Sequence, residues 1–484
     1  NLIYKYLIDS LGESMAKKYL YANQDAIENI YQIINDENID CDFVRQDSYV
    51  YTNNLDELEK IKLENKAVNS LGFKSEFVTS TPFNVLGALR FPNQAEFNPI
   101  KYAYGLAKCI TSNGSSAIDG LVNAGSVGSV SVGDGIVENS PGGASLNLAK
   151  GTGEIYTDTL VQNIKKENDE FITSCKDYVV RSKYVILASH YPFIDRLGYY
   201  FLKMYQSTSY VIAVDIGDKT FDGMYINSKQ PTFSYRFANF SGSCGKRLLL
   251  VGGADHKTGS KIDLSNAYSI LEYEVRKYYP DCKVLYKWNT EDYITLDKIP
   301  YIGEFSHFMP NMYIGTGFNK WGMTSSNVAG NIIVDKILGR ENEYENVFKA
   351  TRLHPIKNNV ELGNMIKETT NSFVINKFKV PDADLDVIED NSVMSGSKKA
   401  GNFEEIKNDS GHVLKYNGQT IGIYKDNDGK IFAVNPICTH LGCLLSWNNL
   451  DKTWDCPCHG SRFDYKGHQL YNPAIRDLDV IDLS

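Results

Sequence analysis

Apolar residues recur at helical spacing in four parts of the chain. In residues 25–38 they form one face of a predicted helix, at Ala26, Ile27, Ile30, Ile33 and Ile34. Similar patterns predict further helices over residues 98–114, 265–280 and 323–340. For the last of these, Thr324–Ser326 are N-cap candidates and Gly339 is the expected end.

Short apolar runs between these helices predict strands. They lie at residues 47–52, 184–189, 209–216, 223–228, 232–238, 247–253 and 311–317. The run at 184–189 is continuously apolar, which predicts a strand that is buried on both sides. Strands mixed with helices predict an α/β (α+β) fold for this part of the chain.

The pattern changes near the C-terminus. Residues 412–416, 420–426 and 431–436 are strand-sized runs separated by "YNG" and "DNDG" turns, which predicts a small all-β domain. A length of 484 residues agrees with two or three domains. We predict an α/β domain over 1–340, a connector over 341–388 and a β domain over 389–484.

One segment of the first domain has an unusual composition. Residues 113–153 contain ten glycines, one lysine and no aromatic residue. A phosphate-binding loop, a low-complexity insertion and a flexible loop are the alternatives. The segment contains neither G-x-G-x-x-G between a strand and a helix nor G-x-x-x-x-G-K-[ST], so an insertion is favoured.

Charge and cysteine usage exclude several classes of protein. The net charge is −9, which disfavours nucleic-acid and anionic-membrane partners. No apolar run reaches the ~18 residues that would cross a bilayer, and there is no basic-then-apolar leader. The widely spaced Cys41, Cys109, Cys175, Cys244 and Cys282 suggest free thiols in a reducing compartment, so we expect a cytoplasmic location.

Two short boxes near the C-terminus offer metal ligands. Cys438-x-His440 is followed by fifteen residues and then by Cys456-x-x-His459. Structural zinc would use paired cysteines and paired histidines, and a disulfide framework would leave the mirrored histidines unexplained. A [2Fe–2S] cluster held by two thiolates and two imidazoles fits this arrangement best.

"CTHLGC" and "CPCHGS" resemble the two boxes of the Rieske family. The resemblance implies Cys438, His440, Cys456 and His459 as ligands and a disulfide between Cys443 and Cys458. It also makes "YNPA", with Pro473, a third loop over the cluster. Ser461 stands where high-potential members have a hydroxyl near a sulfide, but Phe463 replaces their tyrosine. We therefore predict a potential below that of the respiratory-chain type.

A Rieske cluster only passes single electrons, so the rest of the chain must explain its use. No membrane anchor of a respiratory subunit is visible, and no two remaining histidines are spaced closely enough for an oxygenase iron site. A stand-alone ferredoxin would leave most of the chain unexplained. The remaining residues therefore decide the function.

"YVILASHYP", "LLLVGGADHKTG", "EDYITLDKIPYIG" and "MYIGTGFNKWGMTSSNVAG" together resemble the FAD-dependent oxidoreductases of the D-amino-acid oxidase and glycine oxidase superfamily. They are most similar to bacterial members that carry a C-terminal Rieske domain. In the family, the N-terminus of the last helix faces the pyrimidine edge of the flavin. The flavin-lining candidates are Ser189, Tyr191, Tyr301, Gly303, Gly315, Gly317, Phe318, Lys320, Trp321, Gly322, Met323 and Thr324. A glycine turn that caps an ordinary helix is the alternative.

Two residues are substrate-side candidates by this resemblance. Arg236 could hold a substrate carboxylate, and a surface arginine is the alternative. His256, with Lys257, is expected above the flavin. The family's N-terminal G-x-G-x-x-G unit is absent from these 484 residues. Their resemblance to the family starts at a point that follows this unit in the family pattern.

The sequence thus predicts an enzyme, a flavin–Rieske oxidoreductase that acts on a small amine or amino acid. FAD would take a hydride, and the cluster would pass electrons singly to an unknown acceptor. The alternative is a Rieske electron-transfer protein on a scaffold without flavin. We expect no nucleic-acid partner and no membrane span.

Overall fold

The computed structural model describes residues 2–111, 153–176, 178–194, 197–239, 247–260, 266–352, 403 and 406–483, and the backbone of a strand at 136–139. Most of the glycine-rich segment, Cys244 and the greater part of the predicted connector lie outside these residues. Among the described residues, no helix is long and apolar enough to cross a membrane.

Seven α-helices are present in the described part of the chain. They are α1 (Tyr4–Leu11), α2 (Glu13–Asp36), α3 (Leu55–Ser70), α4 (Pro99–Thr111), α5 (Ala267–Arg276), α6 (Gly322–Ile337) and α7 (Glu345–Phe348). A single 3₁₀ turn at Tyr200–Leu202 is also described.

An eight-stranded sheet dominates the first domain. Its strands are β1 (Val44–Thr52), β2 (Glu76–Val78), β3 (Gly87–Glu96), β9 (Met204–Asp215), β10 (Met224–Asn227), β11 (Phe233–Asn239), β12 (Arg247–Lys257) and β13 (Lys283–Thr295). Their order is β13-β9-β12-β11-β10-β1-β3-β2, and only β1 and β10 pair in parallel. Helix α5 covers one face through Ala267, Leu271 and Val275.

Two smaller sheets complete this domain. One is four-stranded, with β4 (Ile136–Asn139), β5 (Val161–Glu167), β6 (Glu170–Cys175) and β7 (Tyr178–Ser182). The other is three-stranded, with β8 (Val185–Leu187), β14 (Tyr301–Glu304) and β15 (Met312–Thr316) in the order β14-β15-β8. Helix α6 follows β15 and packs Val328, Ala329 and Ile332 into a core shared with α1, α2 and α3.

The C-terminal domain is all-β in the described residues. One sheet contains β16 (Ser410–Tyr416), β17 (Gln419–Lys425) and β18 (Ile431–Val434). The other contains β19 (Ser446–Asn448), β20 (Thr453–Asp455), β21 (Arg462–Asp464) and β22 (Gln469–Tyr471). Trp454, Phe463, Leu445 and four cysteines form its core.

The predicted elements exist, with differences at their ends. The helix expected over 25–38 is the second half of the longer α2, and α1 and α3 are additional. The strand expected over 184–189 is only three residues long, and its Ile186 is 49% exposed, so burial on both sides was wrong. Helix α6 begins at Gly322, before the expected N-cap residues, and ends near Gly339, whose φ of 66° suits glycine.

The two faces of the large sheet have different neighbours. On β9, Gln206, Thr208 and Tyr210 alternate with Ser207 and Ser209. The Gln206 face lies under the C-terminal domain, where Gln206 approaches Gly460. The Ser209 face meets the loop after β15, because Ser209 accepts a hydrogen bond from Lys320.

Candidate metal centre and cofactor site

The two metal boxes lie on loops of the same shape. Cys438 follows β18 and Cys456 follows β20. In the first loop the Gly442 amide donates to the Cys438 carbonyl, and in the second the Gly460 amide donates to the Cys456 carbonyl, each at 2.9 Å. Both glycines have φ of 80°, a conformation that favours glycine. The mirrored spacing in the sequence is therefore a mirrored pair of turns.

The two candidate thiol ligands are buried side by side. A hydrogen bond between Cys456 and Cys438 lowers the pKa of Cys438 to about 7, against the opposing effect of burial. Backbone amides of His440 and Leu441 add to this lowering of the pKa. Because metals bind the thiolate, a thiol that is easily ionised suits a ligand.

The two candidate imidazole ligands face each other. The ring centroids of His440 and His459 are 5.2 Å apart, and the rings are nearly perpendicular. His459 is 2% exposed, and neither ring nitrogen has a hydrogen-bond partner among the described residues. Burial, and then His440, lowers the pKa of His459 to about 3. A neutral buried imidazole with unused nitrogens fits a metal ligand, because buried polar atoms otherwise find partners.

Two further cysteines lie beside these ligands. The Sγ atoms of Cys443 and Cys458 are 2.15 Å apart. Both also lie within 4.8 Å of the Sγ of Cys456, so distance alone would group these three as ligands. The hydrogen bond between Cys438 and Cys456, and the matching turns that follow these two residues, favour pairing Cys456 with Cys438 instead. Two thiols and two imidazoles are the donor set of a Rieske cluster.

Ser461 and Phe463 form the surroundings of the thiols. Ser461 is fully buried; its Oγ accepts a hydrogen bond from the Ala474 amide at 3.0 Å, and its side chain also hydrogen-bonds Cys438. Phe463 is fully buried in the apolar core and offers no hydroxyl. Of the two positions at which high-potential Rieske proteins are expected to have a hydroxyl, only Ser461 provides one, and it lies next to the Cys438 thiol.

Both histidines face the first domain. The ring of His440 is 6.3 Å from the ring of Tyr191, and the ring of His459 is 6.0 Å from that of Phe201. Tyr191 in turn lies 4.8 Å from Tyr293 on β13. The metal centre is therefore adjacent to the loop after β8, where two flavin-lining candidates lie.

A cavity of about 270 Å³ separates that loop from the C-terminal domain. Ser189, His190 and Tyr293 line it on one side, and residues 469–472 line it on the other. The Ser189 hydroxyl donates to the Tyr191 carbonyl, which fixes the bend of the loop. Tyr191 itself is buried.

The other candidates lie on β14, β15 and the start of α6. Tyr301 is buried beneath the guanidinium of Arg352, whose Cζ is 3.8 Å from the ring centroid. Gly303 has φ of 112°, which favours glycine. A Cβ on Gly317 would lie 2.3 Å from Thr295, and one on Gly315 would lie 3.1 Å from Ala329. At these two positions, glycine is explained by protein packing alone.

The start of α6 is different. Among the described residues no side chain caps it: Trp321 is the N-cap residue, and the Thr324 hydroxyl donates to Asn23 instead. A Cβ on Gly322 would meet no atom of the described residues within 4 Å, and the side chains of Trp321 and Met323 are exposed. Free N–H groups beside open space fit the edge of a flat, electron-rich group. Phe318 packs inward against the core of α6.

The side chain of Lys320 extends from the loop after β15 to the large sheet. Its Nζ donates to the Ser209 Oγ at 2.8 Å and lies 3.3 Å from a carboxylate oxygen of Asp255. Burial alone would raise the pKa of Asp255, but Lys320 and hydrogen bonds from Thr232 and Gln230 bring that pKa below its ordinary value. This ionised pair lies on the side of the sheet that faces the open start of α6.

The two substrate-side candidates lie on opposite faces of the sheet. Arg236 pairs in register with Leu250 and so shares the face of Ser209; burial lowers its pKa and Glu96 opposes this. A bulge between Gly253 and His256 turns His256 to the other face, where it stacks on Tyr210 under the C-terminal domain. The sequence signal for this turn is the glycine pair before the histidine.

Sequence reasoning missed Arg462, which connects the two domains. Its guanidinium contacts Asn289 and Glu291 on β13 and Asp451, Thr453 and Asp455 in its own domain. Its position directly after Ser461 in the second box was the available signal. An arginine inside a metal-binding loop is more often assigned to the surface.

The fold and the site define a flavin-dependent oxidoreductase joined to a Rieske iron–sulfur domain. Comparison with known families agrees: residues 4–336 match the FAD dependent oxidoreductase family DAO, and residues 397–482 match the Rieske [2Fe-2S] domain. The chain belongs to this FAD-dependent oxidoreductase family and carries a C-terminal Rieske domain. Its cofactors are FAD and a [2Fe–2S] cluster.

Similar proteins share one or both of these parts. YhfW of Bacillus subtilis (strain 168), named as a Rieske 2Fe-2S iron-sulfur protein, is 32% identical over 486 residues, covering 100% of this chain and 84% of that protein. Glycine oxidase from Geobacillus kaustophilus has a TM-score of 0.50 at 15% identity and covers 70% of this chain and 82% of its own. L-amino acid deaminase from Proteus vulgaris has a TM-score of 0.51 at 11% identity, with coverages of 69% and 85%. The two solved structures show the fold alone.

Proposed function

We propose that the protein oxidises a small amine or amino acid and sends the electrons singly, through the Rieske cluster, to an external acceptor. FAD, when bound, takes a hydride from the carbon next to the amine, and the cluster accepts single electrons. The observation that carries the proposal is the contact of His440 with Tyr191, which brings the metal centre to the cofactor-edge loop. The names of the structural neighbours, glycine oxidase and L-amino acid deaminase, support the substrate class.

For the cluster, we assign Cys438 and Cys456 to one iron and His440 and His459 to the other. A disulfide between Cys443 and Cys458 would tie the two loops together. The loops would shield that disulfide from reductants in a cytoplasmic protein, which is the location we continue to expect. Ser461 would donate a hydrogen bond to a sulfur atom and stabilise the reduced state.

For the flavin, the open start of α6 supports a position at Gly322, Met323 and Thr324. Ser189 and Tyr191 would meet the flavin from the loop after β8, and Lys320 would lie on its substrate side. Arg236 shares the sheet face of Lys320 and remains a candidate for holding a carboxylate. His256 lies under the Rieske domain, so we do not propose it as a proton carrier at the substrate.

The test is an anaerobic reduction of the full-length protein. Small amino acids and primary amines are added one at a time, and the flavin is followed by absorption and the cluster by electron paramagnetic resonance. We expect one substrate class to bleach the flavin and to produce the signal of the reduced cluster. If the flavin bleaches while the cluster stays oxidised, the proposed coupling is wrong. If acid releases no FAD, a Rieske carrier without flavin is the better description.

A further inference from the structure

Arg462 has every hydrogen-bond donor occupied inside the protein. Its side chain is 2% exposed. Nε donates to Asp455 at 2.9 Å, Nη2 donates to Asp451 at 2.7 Å and to Thr453 at 2.9 Å, and Nη1 donates to Asn289 at 3.2 Å and to Glu291. All five N–H groups of a guanidinium are therefore used.

Two of these five bonds cross between the domains. Asn289 and Glu291 belong to β13 of the flavin domain, whereas Asp451, Thr453 and Asp455 belong to the Rieske domain. Strand β13 also contributes Tyr293, whose hydroxyl donates to the Asn472 carbonyl at 2.9 Å. The Asn289 amide donates to Asp451 at 2.7 Å. The same strand thus contacts the Rieske domain through three alternate residues on one of its faces, Asn289, Glu291 and Tyr293.

The backbones of the two domains also approach closely. A Cβ on Gly259 would lie 2.6 Å from the backbone nitrogen of Pro457, and one on Gly460 would lie 2.0 Å from the Gln206 amide oxygen. Pro457 and Gly460 lie in the box that contains His459. The ligand loop is therefore seated directly on the flavin domain.

The carboxylates around Arg462 carry more negative charge than the guanidinium can balance, and one of them comes from the flavin domain. Asp451 and Asp455 of the Rieske domain already carry two negative charges against the single positive charge of the guanidinium, so Glu291 of the flavin domain is a surplus negative charge. Glu291 is fully buried by the contact. A buried carboxylate is costly unless its partner is held in place, so this contact favours one defined geometry. The planar guanidinium of Arg462 donates to acceptors in several fixed directions at once, which the compact ammonium group of a lysine cannot do.

We propose that Arg462 is a positioning residue that locks the Rieske domain onto β13, so that His440 and His459 stay against Tyr191 and Phe201. This inference rests on the proposed function. In the step that it serves, one electron leaves the reduced flavin and one oxidised cluster gains it. The second electron follows after an external one-electron acceptor has reoxidised the cluster, and the protons of the flavin pass to solvent.

The test replaces the two acceptors on β13 and leaves the Rieske domain unchanged. In the double variant Asn289→Ala with Glu291→Leu, Arg462 keeps Asp451, Asp455 and Thr453. Removal of one partner from a buried ion pair destabilises strongly when it leaves a charge without compensation, and here Asp451 and Asp455 still compensate Arg462. Small-angle scattering of the protein measures the separation of the domains. Stopped-flow absorption measures reduction of the flavin and then of the cluster.

We expect a larger maximum dimension and cluster reduction about tenfold slower or more, because charge-assisted hydrogen bonds across the contact are lost. Reduction of the flavin by substrate and the resonance signal of the chemically reduced cluster should stay unchanged. Lys452→Met is the matched control, because it breaks an ion pair with Asp409 and a hydrogen bond to Asn449, both within the Rieske domain. Arg462→Lys should slow cluster reduction in the same direction as the double variant.

The outcomes separate this inference from the function on which it rests. If the unaltered protein never reduces its cluster, the proposed function fails, but scattering of the double variant still tests the docking. If scattering and cluster reduction in the double variant match the unaltered protein, Arg462 does not lock the domains. If Lys452→Met slows cluster reduction as strongly as the double variant, the effect is not specific to the contact with β13.

Discussion

Single side chains around the thiols decide how readily the cluster takes an electron. Ser461 is hydrogen-bonded to Cys438, while Phe463 fills the core with a ring that cannot donate. Donors to sulfur stabilise the reduced cluster. The potential therefore depends on one hydroxyl where high-potential relatives are expected to have two.

Ser461→Ala should lower the cluster potential by roughly 60 mV, which corresponds to the loss of one hydrogen bond of about 1.4 kcal/mol in a one-electron couple. Phe463→Tyr should raise it if its hydroxyl reaches a sulfur atom. A redox titration followed by electron paramagnetic resonance gives both values. Ser410→Ala, whose hydroxyl bonds the Lys407 carbonyl far from the boxes, is the control and should not move the potential. An unchanged potential in Ser461→Ala would reject the assignment of that hydroxyl.

The residue scale also shows where sequence reasoning stops. The Rieske domain was predictable because cysteine and histidine at mirrored spacing have few other uses, and residues 397–482 match the family. His256 was not, because one bulge changes the face on which a strand residue lies, and periodicity does not reveal bulges. Arg462 was missed because burial of an arginine depends on partners from β13, which are distant in the sequence.

At the scale of elements, the start of α6 is the feature with the clearest consequence. Apolar periodicity predicted this helix and glycine predicted its end. The expected cap at Thr324–Ser326 was wrong, because the helix starts two residues earlier and Thr324 bonds Asn23. An uncapped helix start leaves N–H groups free for a ligand.

Gly322→Val should weaken FAD binding about tenfold. The valine side chain would enter the space proposed for the flavin, and such overpacking costs about 1–3 kcal/mol. The fold should tolerate the change, since no atom in the described part of the chain lies within 4 Å of the new Cβ. Fluorescence titration of apoprotein with FAD measures the affinity. Gly330→Ala, on the same helix and also in open space, should stabilise the protein by about 0.5–1 kcal/mol and leave FAD binding unchanged. Equal FAD affinity in both variants would place the flavin elsewhere.

Strand β8 shows why the local sequence pattern predicts that a strand is present better than it predicts how deeply that strand is buried. A continuous apolar run predicted a strand, and residues 185–187 form one beside β15. Burial, however, depends on what covers each face, which is a property of distant residues. The missed helix α3 makes the same point, because its mixed polarity hides the face on which Ile61, Ala67 and Val68 are buried.

At the scale of the whole molecule, the contact between the domains should respond to pH. Burial raises the pKa of Glu291 and of Asp451, despite the opposing effect of Arg462. A carboxyl whose pKa is raised by folding costs stability when ionised, and that cost disappears as the pH falls through the raised pKa towards the ordinary value. Arg462, Asp455 and Tyr471 are the other charged or titratable groups that influence Glu291.

We therefore expect Glu291→Gln to be more stable than the unaltered protein near about pH 8, with the difference shrinking towards about pH 5. Thermal unfolding of both proteins across that range measures the difference. Gln keeps an amide oxygen for Arg462, so the contact itself is preserved. Glu304→Gln, on a partly exposed carboxylate beside Lys336, is the control and should not reproduce the pH trend. A difference that grows on acidification would have the wrong sign.

The orientation of the histidines has one more consequence. His459 is buried against Phe201 and His440 lies beside Tyr191, so under the proposed function electrons would enter the cluster from its imidazole side. Electrons would then leave from another part of the Rieske surface, and Thr439, Leu441 and Gly442 are partly exposed there. Electrons would thus enter and leave the Rieske domain at different surfaces. Substitutions on the exposed surface around Thr439, Leu441 and Gly442 would then change the electron acceptor, for instance to an electrode, and leave the proposed oxidation of the amine unchanged.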